Sequence, residues 1–564
     1  MTGVISDRPA RDGTQRAHSR AVVLRGLDHP LVATLAAAAI GVAYLIAAPE
    51  TADMAAHTYR TWLWDNVGFA TWNAQWYGGH HMAGYSLLYP PLAALLGTRL
   101  VGVVAGVAAV ALFAVLARRL APSRASAVLA TWLFLGGAMS NVVIGRMPFT
   151  LGIALAVGAW ACAHRSWPAT ALLSLAATWA SPVVGVFLCV AGVAIAAGAR
   201  LGGDPQRPDW RTALALALPA VAGGAVMALL FPEGGTDRFV LDAFWPGLVC
   251  ALGAVALVDR THRTAYAGAV LYLIVLVAAF ALPNGLGQNA LRPGAVLGPA
   301  LLALYARRDA SRLLLVVVVG FLLYLQWLPA WRAVDEARGD PSTRAAFHAE
   351  VLRYLDEHAA PGERLEVPFT RNHWEATYLA EHYPLARGWH RQLDRKVNPL
   401  FYDGDLTAEA YGDWLRRNAV RWVALPSAPL DFSATDERRL LLGGVPGLRP
   451  VHESPDWRIW EVEDTEPPVS GAARLTAAGA DGFDLEASRP GRVVVRQHDT
   501  PYWTVAEGDA CVAKHPETRW TVVDVRRPGT IRVRADFSMG AALRRSPSCG
   551  PVRTSAVSPP VRDP

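Results

Sequence analysis

The sequence predicts a polytopic α-helical membrane protein of about eleven spans, with a C-terminal α/β domain and a β-sandwich. Three observations carry this. The chain has 564 residues, 52% of them hydrophobic, and up to residue 332 the apolar residues cluster in runs of about 17–25, the length that spans a bilayer as helix. From residue 340 helical and strand periods alternate in a soluble composition. From about residue 466 short alternating runs bounded by Gly, Pro or Asp take over. The resulting division is a basic cytoplasmic tail (1–30), a transmembrane domain (31–332), an extracytoplasmic α/β domain (340–465), a β-sandwich (466–555) and a disordered, Ser/Pro-rich tail (556–564).

The leader carries Arg8, Arg11, Arg16, Arg20 and Arg25 and reads as cytoplasmic. The first span, Leu31–Ala48, is long for a signal core and is followed by Pro49, so it reads as an uncleaved anchor. Further spans read as Leu92–Ala117, Ala125–Val143, Pro148–Ala163, Thr170–Ala180, Pro182–Ala199, Thr212–Phe231, Phe239–Val258, Thr264–Leu282, Asn289–Ala306 and Arg312–Ala330. Thr170–Ala180 is short, and a broken or re-entrant segment around Ser181-Pro182 is expected there.

With the N-terminus inside, the inner loops Arg118–Arg124, His164–Arg165, Arg200–Arg211, Asp259–Arg263 and Arg307–Arg312 all carry Arg. The short outer connections Gly145–Met147, Ser181–Pro182, Pro232–Arg238 and Pro283–Gly287 are poor in it, which fits the positive-inside rule. An odd span count places everything after Ala330 outside. The net charge of +6 is accounted for by these inner Arg and needs no nucleic acid. Cys162, Cys189 and Cys250 lie in apolar segments, whereas Cys511 and Cys549 share the terminal soluble region, where an oxidising compartment would allow a disulfide.

Beyond the membrane, Ser342–His358 reads as an amphipathic helix capped by Ser342. A strand (Arg364–Phe369), helices (His373–His382, Ala408–Asn418), a strand (Arg421–Leu425), a helix (Asp436–Leu442) and a strand (Trp457–Val462) follow. Strands at Gly482–Ala487, Arg492–Gln497, Trp520–Val525 and Thr530–Ala535 form the sandwich.

The first outer loop, 49–91, is the chemically rich stretch. It is about forty residues long, aromatic, and carries acids close to a membrane helix end; loops of that length are usually functional or disordered, and this composition argues against disorder. Asp53 is placed to take a proton from a hydroxyl as general base, with Glu50 and Asp65 as weaker candidates. The competing reading makes Asp53 the cap of a helix Met54–Asp65. His57 shares its helix face at four residues' spacing. Trp62, Trp64, Trp72, Trp76 and Tyr77 could stack on a sugar or form an interfacial aromatic belt, the belt being the plainer reading for most of them. His80-His81 is a weak metal signal, and no third ligand accompanies Asp53 and His57. Arg146, Arg238 and Arg292 stand alone near outer ends of spans, where a guanidinium suits a phosphate, or snorkels to headgroups. No Walker loop, dinucleotide fingerprint, Gly-x-Ser-x-Gly or HExxH is present, so soluble nucleotide chemistry has no support.

An acid just outside the first span, followed by a long Trp-rich loop ending on Tyr89-Pro90-Pro91, resembles the GT-C superfamily of integral-membrane glycosyltransferases. Phe231-Pro-Glu-Gly-Gly235 and Gly287-Gln-Asn-Ala-Leu-Arg292 look like short signatures of actinobacterial members. Gly388-Trp389, Asn398-Pro-Leu-Phe-Tyr402, Tyr411–Trp414, Val420-Arg-Trp-Val-Ala424 and Pro501-Tyr-Trp503 with Gly508 look like outer domains of bacterial proteins that add sugars to envelope polymers. The resemblance implies a GT-C-like fold in the plasma membrane and a polyprenyl-phosphate-linked sugar donor. The acceptor would be an envelope glycan, glycolipid or protein on the outer face. Asp53 would be the base, with inversion at the sugar carbon. Arg146, Arg238 and Arg292 would hold the phosphate, and Glu50, His57, Asp65, Trp72, Trp76, His80, His81 and Tyr89 would contact donor or acceptor.

The chain departs from the metal-dependent branch of that superfamily, because Arg146 occupies the second outer loop, where an acid pair would be needed. No cofactor is indicated, and a divalent cation is left without support. Two other classes stay open. A transporter or lipid flippase would show charges along a pathway and repeated halves, neither of which is evident. An inactive member that scaffolds envelope assembly would keep the outer domains without the chemistry of Asp53.

Overall fold

Each of the eleven apolar segments forms helix in the computed structural model, which describes residues 29–163, 165–205, 209–544 and 549. The basic leader up to residue 28, His164, residues 206–208 and the tail 556–564 lie outside the described residues. In hydrocarbon an apolar segment has to pair its own backbone groups, and helix does this within one segment. Pro30, Pro90, Pro148, Pro168 and Pro182 stand in the first turn of their helices, where the missing N–H costs nothing. Among the described residues seven helices are long and apolar enough to cross a membrane: Pro30–Ala47, Thr98–Leu120, Arg124–Ile144, Pro182–Leu201, Trp210–Leu230, Arg263–Ala281 and Arg312–Ala337. Met147–Cys162, Trp167–Ala180, Leu241–Leu257 and Leu291–Tyr305 are shorter.

Three boundaries differ from the sequence reading. The segment expected at Leu92–Ala117 is two helices, Tyr89–Leu96 and Thr98–Leu120, separated at Gly97, whose φ of 95° no helix accommodates. The last membrane helix runs to Ala337, past its apolar stretch, and carries the chain towards the C-terminal domains. Leu291–Tyr305 is preceded by a 3₁₀ turn, Gly287–Ala290, in place of a continuous start at Asn289. The break after Trp167–Ala180 falls on Ser181, which is extended.

After the membrane domain a four-stranded sheet runs in the order Arg364–Glu366, Val420–Pro426, Trp457–Val462, Leu448–Glu453, with the first pair parallel and the others antiparallel. The strand Leu448–Glu453 and the helix Arg391–Val397 lack a clear apolar period and have no counterpart in the sequence reading. Ser342 does not cap the long helix. It sits in a 3₁₀ turn capped by Asp340, and the helix starts at Ala345. The expected helix His373–His382 is only Glu375–Tyr378, and the first strand stops at Glu366.

The terminal region is a pair of four-stranded sheets. One orders Ala510–Lys514, Trp520–Val525, Gly491–His498, Val469–Ser470; the other orders Trp503–Glu507, Gly529–Ala535, Gly482–Ala487, Ala473–Ala478. Leu485, Val493, Val495, Val523, Ile531 and Val533 from both sheets fill the space between them. Cys511 and Cys549 are joined in a disulfide.

The long first loop, residues 49–91, ties these parts together. Its helix, Ala52–Val67, is followed by a two-residue-per-strand hairpin, Trp72–Asn73 with His80–His81. Trp72 enters the sandwich core and Trp76 enters the core of the α/β domain. Ala74 N–H donates to Ala480 O at 2.7 Å, and Leu385 N–H donates to Gln75 O at 2.7 Å.

Candidate active site

The helix Ala52–Val67 has Thr51 as N-cap, but the Thr51 hydroxyl caps nothing; it donates to Ile144 O at 2.7 Å. That bond lays the second outer connection on the start of the helix. Gly145 is required at the crossing, since it takes φ of 93° and a Cβ there would lie 2.7 Å from Thr51 Oγ1 and 2.8 Å from Met54 Cγ. Arg146 follows, and its Nε lies 3.5 Å from Asp53 Oδ2. Asp53 is therefore inside the first turn rather than the cap, where a carboxylate is favoured by the helix dipole.

The α/β domain grips the same turn from the other side. Trp374 Nε1–H donates to Glu50 O at 3.0 Å, Trp389 Nε1–H to Ala52 O at 2.7 Å, and the Thr377 hydroxyl to Ala55 O at 2.8 Å. Trp389 is itself stacked on His373, with centroids 3.5 Å apart. Gly388 passes against Trp76, where a Cβ would lie 2.4 Å from Cγ of the ring, so only Gly fits beside this anchor.

Asp53 faces a cavity of about 1460 Å³. Its wall takes residues from each of the Arg-poor connections and none of the Arg of the Arg-rich ones. Asp53, Arg60, His81 and Tyr85 come from the first loop, Arg146 from the second and Ser181 from the third. Glu233, Asp237 and Asp242 follow, then Gln288 and Arg292. Tyr324, Gln326 and Arg332 close it from the last membrane helix, and Trp389, His390, Arg391 and Lys396 from the outer domain. The Arg292 guanidinium lies over the Phe149 ring at 5.8 Å. Gln326 is buried within its helix and donates to Ala295 O at 2.6 Å, while its Oε1 has no partner.

Of the residues singled out in the sequence, the structure brings Asp53, His81, Arg146 and Arg292 to this cavity. The others lie elsewhere. Glu50 pairs with Arg99 at 2.6 Å, and Asp65 is exposed in the last turn of its helix. His57 is buried between Tyr85 and Tyr89, each 5.7 Å away, although it follows Asp53 by one turn. Tyr89 donates to Thr98 O. His80 is stacked on Trp76 at 5.6 Å, and Trp72 and Trp76 fill domain cores outside the cavity lining. Arg238 is exposed outside the lining.

Sequence reasoning missed Arg60, which follows Asp53 by seven residues and so shares its face. It also missed Tyr85, Asp237, Asp242 and Arg391, which the carboxylate of Asp431 holds at 2.7 Å; Glu233 was visible only within the motif Phe231-Pro-Glu-Gly-Gly235. Gly388-Trp389 was visible as a motif, but its contact with Ala52 spans 337 residues.

Burial dominates the electrostatics here. It raises the Glu233 carboxyl to about 7, although the backbone N–H of His81 donates to it. Burial also raises Asp237, against the pull of Arg395 and Arg292. The site does not suit a metal ion: the second outer connection sets a guanidinium against Asp53. Among the described residues no group of three or more His, Cys, Asp or Glu side chains is placed to hold one.

No protein-family model matches the chain, and no curated protein matches it. Solved structures share its shape in part. One is the arabinofuranosyltransferase AftD from Mycobacteria, 12% identical, TM-score 0.43, covering 91% of this chain and 57% of that one. Another is ArnT from Cupriavidus metallidurans bound to undecaprenyl phosphate, 12% identical, TM-score 0.37, covering 78% and 99%. A third is the archaeal oligosaccharyltransferase AglB from Archaeoglobus fulgidus in complex with an inhibitory peptide and a dolichol-phosphate, 11% identical, TM-score 0.42, covering 70% and 69%. The chain thus spans 57% of the AftD chain. These are likenesses of overall shape.

Proposed function

We propose that this protein is a multi-pass membrane glycosyltransferase of GT-C type, moving a sugar from a polyprenyl-phosphate carrier to a hydroxyl of a cell-envelope acceptor. One observation carries the reading: a carboxylate, Asp53, lines a large cavity that also receives Arg146 and Arg292, and Arg146 lies beside it. Asp53 takes the proton of the acceptor hydroxyl as its oxygen attacks the anomeric carbon. The bond from that carbon to the phosphate oxygen breaks with inversion, and the polyprenyl phosphate leaves with the bonding pair. Arg146 and Arg292 stabilise the charge that gathers on the departing phosphate. A phosphate arriving at Arg146 competes with Asp53 for the guanidinium and frees the carboxylate for the hydroxyl.

The convergence of all the Arg-poor connections on one cavity supports an outward-facing site, as does the Cys511–Cys549 disulfide. The test is label transfer by purified protein in lipid nanodiscs, from a panel of polyprenyl-phosphate sugars to an envelope extract. Labelled product from at least one donor is the expected result. Bound donor with no transfer from any of them contradicts it.

A further inference from the structure

The cavity holds a buried cation that forms no ion pair with a carboxylate among the described residues. Arg60 is 5% exposed, lines the cavity, and its Nε and Nη1 have no hydrogen-bond partner. An uncompensated guanidinium away from water is costly, and such groups are kept where something pairs with them. What surrounds it is aromatic or neutral. Its Cζ sits 4.0 Å over the Tyr85 ring and 5.7 Å from that of Trp76. His57 and His390 are also near, both held neutral by burial first and by the Arg60 charge as well, His390 at about 3. Asp53 acts on Arg60 from seven residues back, about 10 Å along the helix at 1.5 Å per residue. Its paired guanidinium is that of Arg146.

Resting on the glycosyltransferase reading, we propose that Arg60 is a specificity subsite for an acidic group, a carboxylate or phosphate, carried by the acceptor. Arg146 and Arg292 serve the base end of the cavity, and Arg60 lies two turns beyond it, so an acceptor whose hydroxyl meets Asp53 extends towards Arg60. The aromatic faces of Tyr85 and Trp76 hold the guanidinium in place by cation–π contact and leave its N–H edge free for a planar anion.

The test uses full-length protein in nanodiscs and three probes: glucuronate, glucose and undecaprenyl phosphate, with binding read by titration calorimetry. Wild type is expected to bind glucuronate at least tenfold tighter than glucose. Arg60→Gln is expected to erase that preference, Arg60→Lys to keep most of it, and neither to weaken undecaprenyl phosphate. Equal glucuronate binding by wild type and a folded Arg60→Gln would overturn the proposal. So would a loss of undecaprenyl phosphate binding in Arg60→Gln, which would assign the cation to the donor. Thermal unfolding of both variants separates these results from misfolding. Failure of the glycosyltransferase reading itself shows separately, as absence of sugar transfer by wild type.

Discussion

The two halves of the first outer loop share a composition and differ in use. The helix Ala52–Val67 presents Asp53, Ala56 and Arg60, at i, i+3 and i+7, to the cavity. The hairpin Trp72–His81 turns its Trp inward, Trp72 into the sandwich and Trp76 into the α/β domain. Richness in aromatics and His therefore does not mark the site. What marks it is a polar group whose partner is missing or borrowed.

Two buried arginines make the same point. Arg387 is 1% exposed, lies 3.9 Å from the rings of both Phe369 and Phe401, and meets Asp394 at 2.8 Å, Glu437 at 3.3 Å and Glu366 at 3.8 Å. Arg60 is also buried and has aromatic neighbours too, but among the described residues no carboxylate forms an ion pair with it. Arg387 satisfies the fold, and Arg60 is the group for which the acceptor subsite is proposed.

Substitutions can break this division. Trp76→Ala should cost about 3–5 kcal/mol of stability, because the ring is fully buried and donates to Ala376 O. Thermal unfolding in nanodiscs reads it, and an unchanged midpoint would return Trp76 to the list of ligand contacts. Arg292→Gln should leave the fold intact and lower transfer by roughly 10²-fold, the scale of losing one donor to developing charge. Undiminished turnover would remove Arg292 from the phosphate. Trp389→Phe deletes one hydrogen bond to the turn before Asp53 and should cost about 1 kcal/mol, seen as a several-fold fall in kcat with the donor KM unchanged.

Glu233 gives the effect with the most diagnostic pH dependence. Its folded carboxyl is raised from 4.5 to about 7, so its contribution to stability is full below about pH 4.5 and is lost as pH rises through 7. Glu233→Gln mimics the protonated form, so the variant should gain on wild type in unfolding midpoint between pH 4.5 and 7 and hold a level margin above. Parallel curves would show that Glu233 is hydrated.

The membrane helices were legible because apolar runs of spanning length admit one backbone solution. Gly97 was the exception: an apolar run reads continuously across a residue whose φ breaks the helix. In the sandwich, alternation gave Gly482–Ala487 and Trp520–Val525 to the residue, since one face of each strand is buried. The site was legible only at its centre. Asp53, Arg146 and Arg292 stand out as charges beside membrane helix ends, whereas the walls depend on contacts across hundreds of residues, such as Thr377 to Ala55 and Trp389 to Ala52. Local pattern carries no record of those. Arg60 alone had a local signal, seven residues from Asp53, and it was obscured by the richer residues around it.

The most direct test compares wild type with Asp53→Asn in sugar transfer from a polyprenyl-phosphate donor, both in nanodiscs and both checked for equal unfolding midpoints. Asn keeps the size of the side chain and cannot accept the proton, so transfer should fall by about 10²–10⁴-fold while donor binding persists. Equal transfer by the two proteins would contradict the account and move the base to another cavity acid, with Asp237 and Asp242 the next to replace.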